Sequence, residues 1–255
     1  LAFGANANAS GNYSLAVGSN SQASGENAQA LGDKALASGH NSFSAGARSQ
    51  ATNTDSVAIG TGSSSTNTST LAVGTNASAS GFQSTAIGFK ANALAFDSVA
   101  VGAQSLAIAN NTLAFGTSSK ASSQGAMAFG LESRSTANDS IAIGYKSLAN
   151  QDNSTAIGSS SKATGVRSIA FGQQATGSGS DSIAMGYLSK AVDRDSLAIG
   201  TSSSSTGNEA FAFGTRAVAR GERSTAIATN ASANGTNSVA FGVNADAEGF
   251  NSFAF

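Results

Sequence analysis

Large apolar residues occur in pairs straddling one small residue, and the pairs return every 14 residues: Leu1-Ala2-Phe3-Gly4, Leu15-Ala16-Val17-Gly18, Val57-Ala58-Ile59-Gly60, Ile141-Ala142-Ile143-Gly144. Nineteen starts counted from Leu1 fit without an insertion or deletion, the last being Phe253-Ala254-Phe255. The second position is Ala in eighteen of nineteen copies (Ser44 differs) and the fourth is Gly in seventeen of eighteen (Ala228 differs), a register that a disordered chain does not keep. The residue before each pair is Ser or Thr in fifteen of eighteen copies, with Ala28, Ala126 and Ala210 departing.

Further along each unit the pattern changes to alternation. The seventh and ninth positions are Ala or Ser, apart from Gly177, while the eighth and tenth vary and are mostly polar, as at Asn8, Gln22, Lys120, Arg134, Lys162 and Lys190. A period of two predicts a second short strand. Gly is frequent at the eleventh position and Asn or Asp at the thirteenth, as at Asp55, Asp97, Asp139 and Asp181, which predicts turns. Each unit therefore reads as strand, turn, strand, turn, and residues 1–255 as one continuous array of about eighteen coils. A helix would need apolar spacings of three and four and would not carry Gly in every unit. An all-β, parallel β-solenoid of 14-residue coils is the expected fold, roughly 85 Å long at about 4.8 Å per coil. Ala58, Gly60, Ala72, Gly74, Ala142, Gly144, Ala198 and Gly200 are its structural repeat positions.

Both faces of the first strand are apolar, with large residues at positions one and three and Ala between them, whereas only the Ala/Ser face of the second strand is. A two-sheet roll has a single interior, so one first-strand face is left over and needs a partner, which predicts a homo-oligomer. The favoured arrangement places positions one and three inward, opposite the small seventh and ninth residues, and leaves the Ala column for close approach between subunits. The reverse orientation stays open. On the favoured arrangement Phe3, Phe115, Phe129, Phe171, Phe213, Phe241 and Phe255 form a core ladder. The coils with Gln29, Thr85, Thr155 or Thr225 at position one, and Ala45 beside Phe43, should be the least well packed.

Composition narrows the chemistry. There is no Cys and one His, so thiol nucleophiles, disulfides and sites needing two imidazoles are excluded, and neither a catalytic nor a metal site is expected. No Pro occurs, as expected where every coil needs its N–H groups for the ladder. Only 11% of residues are charged and the net charge is −1; with Lys and Arg scattered singly, no basic stripe for nucleic acid is visible. No apolar run is long enough to span a bilayer, so the segment is not expected to be membrane-embedded. His40, the Asp193-Arg194-Asp195 turn and the Arg216, Arg220, Glu222, Arg223 group read as solvated turns, and no cofactor is implied. Tyr13, Phe82, Phe89, Tyr145 and Tyr187 are candidate exposed turn aromatics.

Three motifs carry a resemblance: Asp55-Ser-Val-Ala-Ile-Gly60 with Ser63, Asp97-Ser-Val-Ala-Val-Gly102 with Ser105, and Asp139-Ser-Ile-Ala-Ile-Gly144 with Ser147. They resemble the repeats of YadA-like heads of trimeric autotransporter adhesins, found on Gram-negative bacteria, with Asp where that family has Asn. The resemblance covers the whole chain. It implies a left-handed parallel β-roll assembled as a homotrimer at the cell surface, on a stalk and outer-membrane anchor outside these residues, the chain being a fragment of a longer one. It implies attachment to matrix proteins of the collagen, fibronectin or laminin type, to host cells, to other bacteria or to surfaces, with a role in virulence. Carried over residue by residue, it marks Ser56, Val57, Ile59, Ser63, Ser98, Val99, Val101, Ser105, Ser140, Ile141, Ile143 and Ser147 as ligand-binding positions.

Other function classes fit less well. A spacer or fibre segment without its own ligand would share every feature above. An ice-binding solenoid needs one residue type repeated along a flat outer ladder, and the eighth position mixes Asn, Leu, Lys, Arg and Gln. A polysaccharide-degrading β-helix needs clustered carboxylates in a cleft, which short regular turns do not build, so no enzyme is expected.

Overall fold

A computed structural model describes all 255 residues, which form 37 strands of two or three residues and no helix. Two compact units, Leu1–Ala126 and Met127–Phe255, are built alike. Each is a parallel β-solenoid of 14-residue coils.

The coil that starts at Ile141 shows the construction. Strand Ile141–Ile143 enters a turn through Gly144, Tyr145 and Lys146, strand Leu148–Ala149 follows, and a second turn through Gln151, Asp152 and Asn153 returns the chain to Ser154. Lys146 (φ 54°) and Asn153 (φ 57°) both lie in the left-handed region, as do their counterparts in successive coils. The sixth and thirteenth positions therefore close two turns seven residues apart. Asn and Asp at the thirteenth are explained, because they tolerate this conformation best among non-glycine residues.

Coils stack with a fixed offset of 14. Ile141, Ala142 and Ile143 pair with Thr155, Ala156 and Ile157, and in the other unit Val57, Ala58 and Ile59 pair with Leu71, Ala72 and Val73. The Ile141 N–H donates to the Ser154 carbonyl at 2.9 Å and the Gly158 N–H to the Ile143 carbonyl at 2.8 Å. Second strands stack the same way, Leu148 and Ala149 on Lys162 and Ala163.

The expected orientation of the first strands is reversed. The position-two Ala column points inward and is buried: Ala58, Ala72, Ala142 and Ala198 have no exposure at all. Position fourteen lies two residues away on the same face and is buried with it, as at Ser56 and Ser140. Opposite stand the seventh and ninth positions, so that Ala142, Ala149, Ala156, Ala163, Ala170 and Ala175 form one cluster. The sheets are close enough for hydroxyls to meet across the interior, Ser44 Oγ to Ser49 Oγ at 2.6 Å and Ser135 Oγ to Ser140 Oγ at 2.6 Å. The largest side chains it holds are Thr70 and Thr112, at position fourteen. The large residues at positions one and three point outward, so the Phe ladder is not core: Phe3, Phe171, Phe213 and Phe241 are exposed. Gln29, Thr85, Thr155 and Thr225 likewise disturb the outer face and leave the interior unchanged.

The fourth-position glycines are demanded twice over. Gly60 has φ +124° and a Cβ there would lie 2.7 Å from the carbonyl carbon and oxygen of Gly74 in the next coil. Ala228 occupies the same column at φ +104°. Gly60→Ala is expected to lower stability by at least about 1–3 kcal/mol, and Ala228→Gly to raise it by about 1 kcal/mol. Denaturant melts of the two variants measure both shifts. An Ala228→Gly protein less stable than its parent would contradict the strain assigned to that position.

Candidate functional surfaces

The outer face of the first strands is a ladder of large apolar side chains. It includes Val17, Ile59 and Ile87 in one unit and Ile143, Phe171, Met185, Phe211, Phe213 and Phe241 in the other, all exposed. One hollow on it, about 380 Å³, is lined by Leu197, Phe211, Ala212, Phe213, Thr225 and Ile227 and opens where Thr225 replaces a larger residue. The interior offers only methyl-sized groups to the hydrophobic effect, about 0.8 kcal/mol for each, whereas covering an Ile or Phe contributes about 1.5–3 kcal/mol. Covering one ladder side chain therefore contributes more than burying one interior Ala.

The twelve motif residues divide between two places. Ser56, Ser63, Ser98, Ser105, Ser140 and Ser147 are buried, and each Oγ donates to the carbonyl three residues earlier: those of Asn53, Gly60, Ala95, Gly102, Ala137 and Gly144. They tie down the turn that precedes each strand. Val57, Ile59, Val99, Val101, Ile141 and Ile143 stand on the outer ladder, Ile59 and Ile143 exposed and the others half-buried.

The outer face of the second strands is polar and carries what the linear sequence hides. Cations that are dispersed along the chain fall into one column at the eighth position, where Arg134, Lys162 and Lys190 are exposed and make no ion pair. Lys146 lies beside them, 3.7 Å from Glu132. Hydrogen bonding by Tyr145 and then the Glu132 charge lift its pKa above the ordinary lysine value. A period of 14 thus brings residues isolated in the chain onto one face, with Leu148 and Thr176 standing between them. The signal was available in the sequence as a shared repeat position.

The turns at positions eleven to thirteen have the opposite character. Asn side chains form ladders there, Asn27 Nδ2 donating to Asn41 Oδ1 at 3.1 Å and Asn41 Nδ2 to Asp55 Oδ1 at 3.0 Å. Arg167 Nε and Nη2 donate to both Asp181 oxygens at 2.6 and 2.7 Å. Those hydrogen bonds, with the guanidinium charge, hold the Asp181 carboxyl below the usual carboxylate range. His40 Nδ1 lies 3.6 Å from Glu26, Arg194 lies between Asp195 and Glu209, and Arg223 lies 3.5 Å from Glu222. All are surface pairs, of little energetic weight. Tyr13, Phe82, Phe89, Tyr145 and Tyr187 are exposed, and Phe82 stacks with Phe96 at 5.7 Å between ring centroids.

In-register coils, an interior of small residues and one apolar outer ladder define a repeat protein of the parallel β-solenoid class. A family model, the YadA head domain repeat (2 copies), matches fifteen stretches from residues 1–21 and 23–49, through overlapping windows, to 205–227 and 229–255. Residue 228, where Ala interrupts the Gly column, is one of the few it passes over. The chain belongs to the YadA head family, and membership carries an adhesin-type role at a cell surface. No curated protein matches it. Among solved structures it is similar to the collagen-binding domain of the Yersinia adhesin YadA, at 24% identity over 69% of this chain and 66% of that one, with a TM-score of 0.26.

Proposed function

We propose that this protein is a homotrimeric adhesin head, without enzymatic activity, that attaches a bacterium to matrix proteins, host cells, other bacteria or surfaces. The observation that carries the reading is the apolar ladder that each unit presents outside its first strands, with Val17, Ile59 and Ile87 exposed in one and Ile143, Phe171, Phe213 and Phe241 in the other. Three ladders meeting about one axis would cover the face that a single chain leaves in water, through the head-to-tail contacts from which closed rings are built. Val57, Ile59, Val99, Val101, Ile141 and Ile143 then serve attachment indirectly, by holding the trimer together, and the six motif serines by fixing the turns. Ligand contact falls to the polar outer face and the turn aromatics, where identical coils repeat weak contacts and avidity supplies strength. No helix is long and apolar enough to cross a membrane, and a place at the bacterial surface is part of the same reading.

The test begins with solution mass. Light scattering is expected to give about 74 kDa, three times the 24.8 kDa of one chain. A soluble monomer of 24.8 kDa would overturn the trimer. The trimer is then passed over immobilised collagen and over albumin. Selective retention on collagen supports a matrix ligand, and equal passage over both removes collagen and favours the spacer reading.

A further inference from the structure

We propose that the outer face of the second strands between Arg134 and Lys190 binds a linear sulfated polysaccharide. Arg134, Lys162 and Lys190 occupy the same position in every second coil, each 28 residues from the next. At about 4.8 Å per coil their charges recur about every 9.6 Å along the stack. Two shallow depressions lie between them and share Lys162. One, about 230 Å³, is lined by Glu132, Arg134, Lys146, Ser147, Leu148 and Lys162. The other, about 340 Å³, is lined by Ser160, Lys162, Gln174, Thr176 and Leu188. The surface thus alternates fixed cations with hydroxyl and amide groups and an occasional apolar side chain, the complement of a chain of sugar rings bearing a charge on alternate residues.

Charge segregation strengthens the argument. From Asp139 to Arg223, positions eleven to thirteen hold seven acids against three arginines, so the neighbouring turn repels a polyanion and confines it to the column. The spacing also favours a polysaccharide over nucleic acid. Phosphates recur every 3.4 Å along a DNA strand, so most would meet no cation here. Single strands would need stacking aromatics, and Leu148 and Thr176 stand between the charges instead. The proposal rests on the other sheet being the covered one, which leaves this face in solvent.

The experiment uses the whole chain and heparin as the sulfated probe, with fully desulfated heparin and duplex DNA in parallel. Two triple variants change net charge equally: R134S/K162S/K190S in the column, and K34S/R48S/K90S in sixth-position turns. Serine already stands in the column at Ser64, Ser204 and Ser232, so folding should survive, and circular dichroism checks it. Heparin is expected to bind the parent in a salt-sensitive manner, the column variant about tenfold more weakly and with a shallower salt slope, and the turn variant within about twofold of the parent. Equal losses in the two variants, no loss in either, no difference on desulfation, or duplex DNA bound as tightly as heparin would each overturn it. Light scattering on the same samples keeps the readings apart. A parent that is monomeric refutes the trimer while the heparin comparison still judges the column.

Discussion

Ala142→Leu is expected to abolish the native fold of its coil, while Ile143→Ala, one residue on, leaves the strand signal in circular dichroism intact. Ala142 is buried against Ala149 and Ala156, in an interior where facing hydroxyls elsewhere come within 2.6 Å. Overpacking an ordinary core costs about 1–3 kcal/mol because neighbours shift. Here the neighbours are backbone and methyl groups locked in register by hydrogen bonds to both adjacent coils, so little can shift and the loss should exceed that range. Ile143 touches solvent, and trimming it removes area only from the outer ladder. The opposite result, a native Ala142→Leu and an unfolded Ile143→Ala, would mean that the large residues face inward.

The second large effect concerns assembly. Phe171→Asp combined with Phe213→Asp places carboxylates at ladder positions that are 49% and 56% exposed in one chain, so the isolated chain should accept both. In a trimer the same groups would be taken out of water without a partner, at several kcal/mol for each ion. The expected result is a drop from about 74 kDa to 24.8 kDa in light scattering, with strand content retained. A double variant that keeps the parent's mass would show that the ladder is not the subunit contact.

The coil length, the strand positions and the in-register stack were legible because the 14-residue repeat runs without a slip from Leu1 to Phe255. Orientation was misread for a physical reason. Ordinary packing distances between sheets ask for large residues opposite small ones, and that expectation pushed Ile59 and Phe171 inward. A different reading of the same residues would have corrected it. Positions fourteen and two flank position one just as seven and nine flank eight, so each strand offers a face of small residues, and two such faces close a very thin roll. The left-handed turn at position six was invisible, because Asn6, Lys34, Glu132 and Leu188 all occupy it and share no chemical signature. Half of the candidate ligand residues are buried serines whose hydroxyls hydrogen-bond their own backbone, and sequence does not distinguish a buried Ser from an exposed one. The cationic column was written in the eighth position but is recognisable as a surface only once the coils are stacked.

A coil whose hydrogen bonds reach only to the residues about 14 before and after it carries no information about how many coils surround it. Gain or loss of a whole 14-residue segment would leave every remaining turn, column and contact in place, whereas loss of 13 would turn the interior outward. Length in such a chain is thus a quantised and nearly neutral character. Recombination between its own repeats can alter reach and the number of binding positions in steps of about 4.8 Å without composing a single new contact.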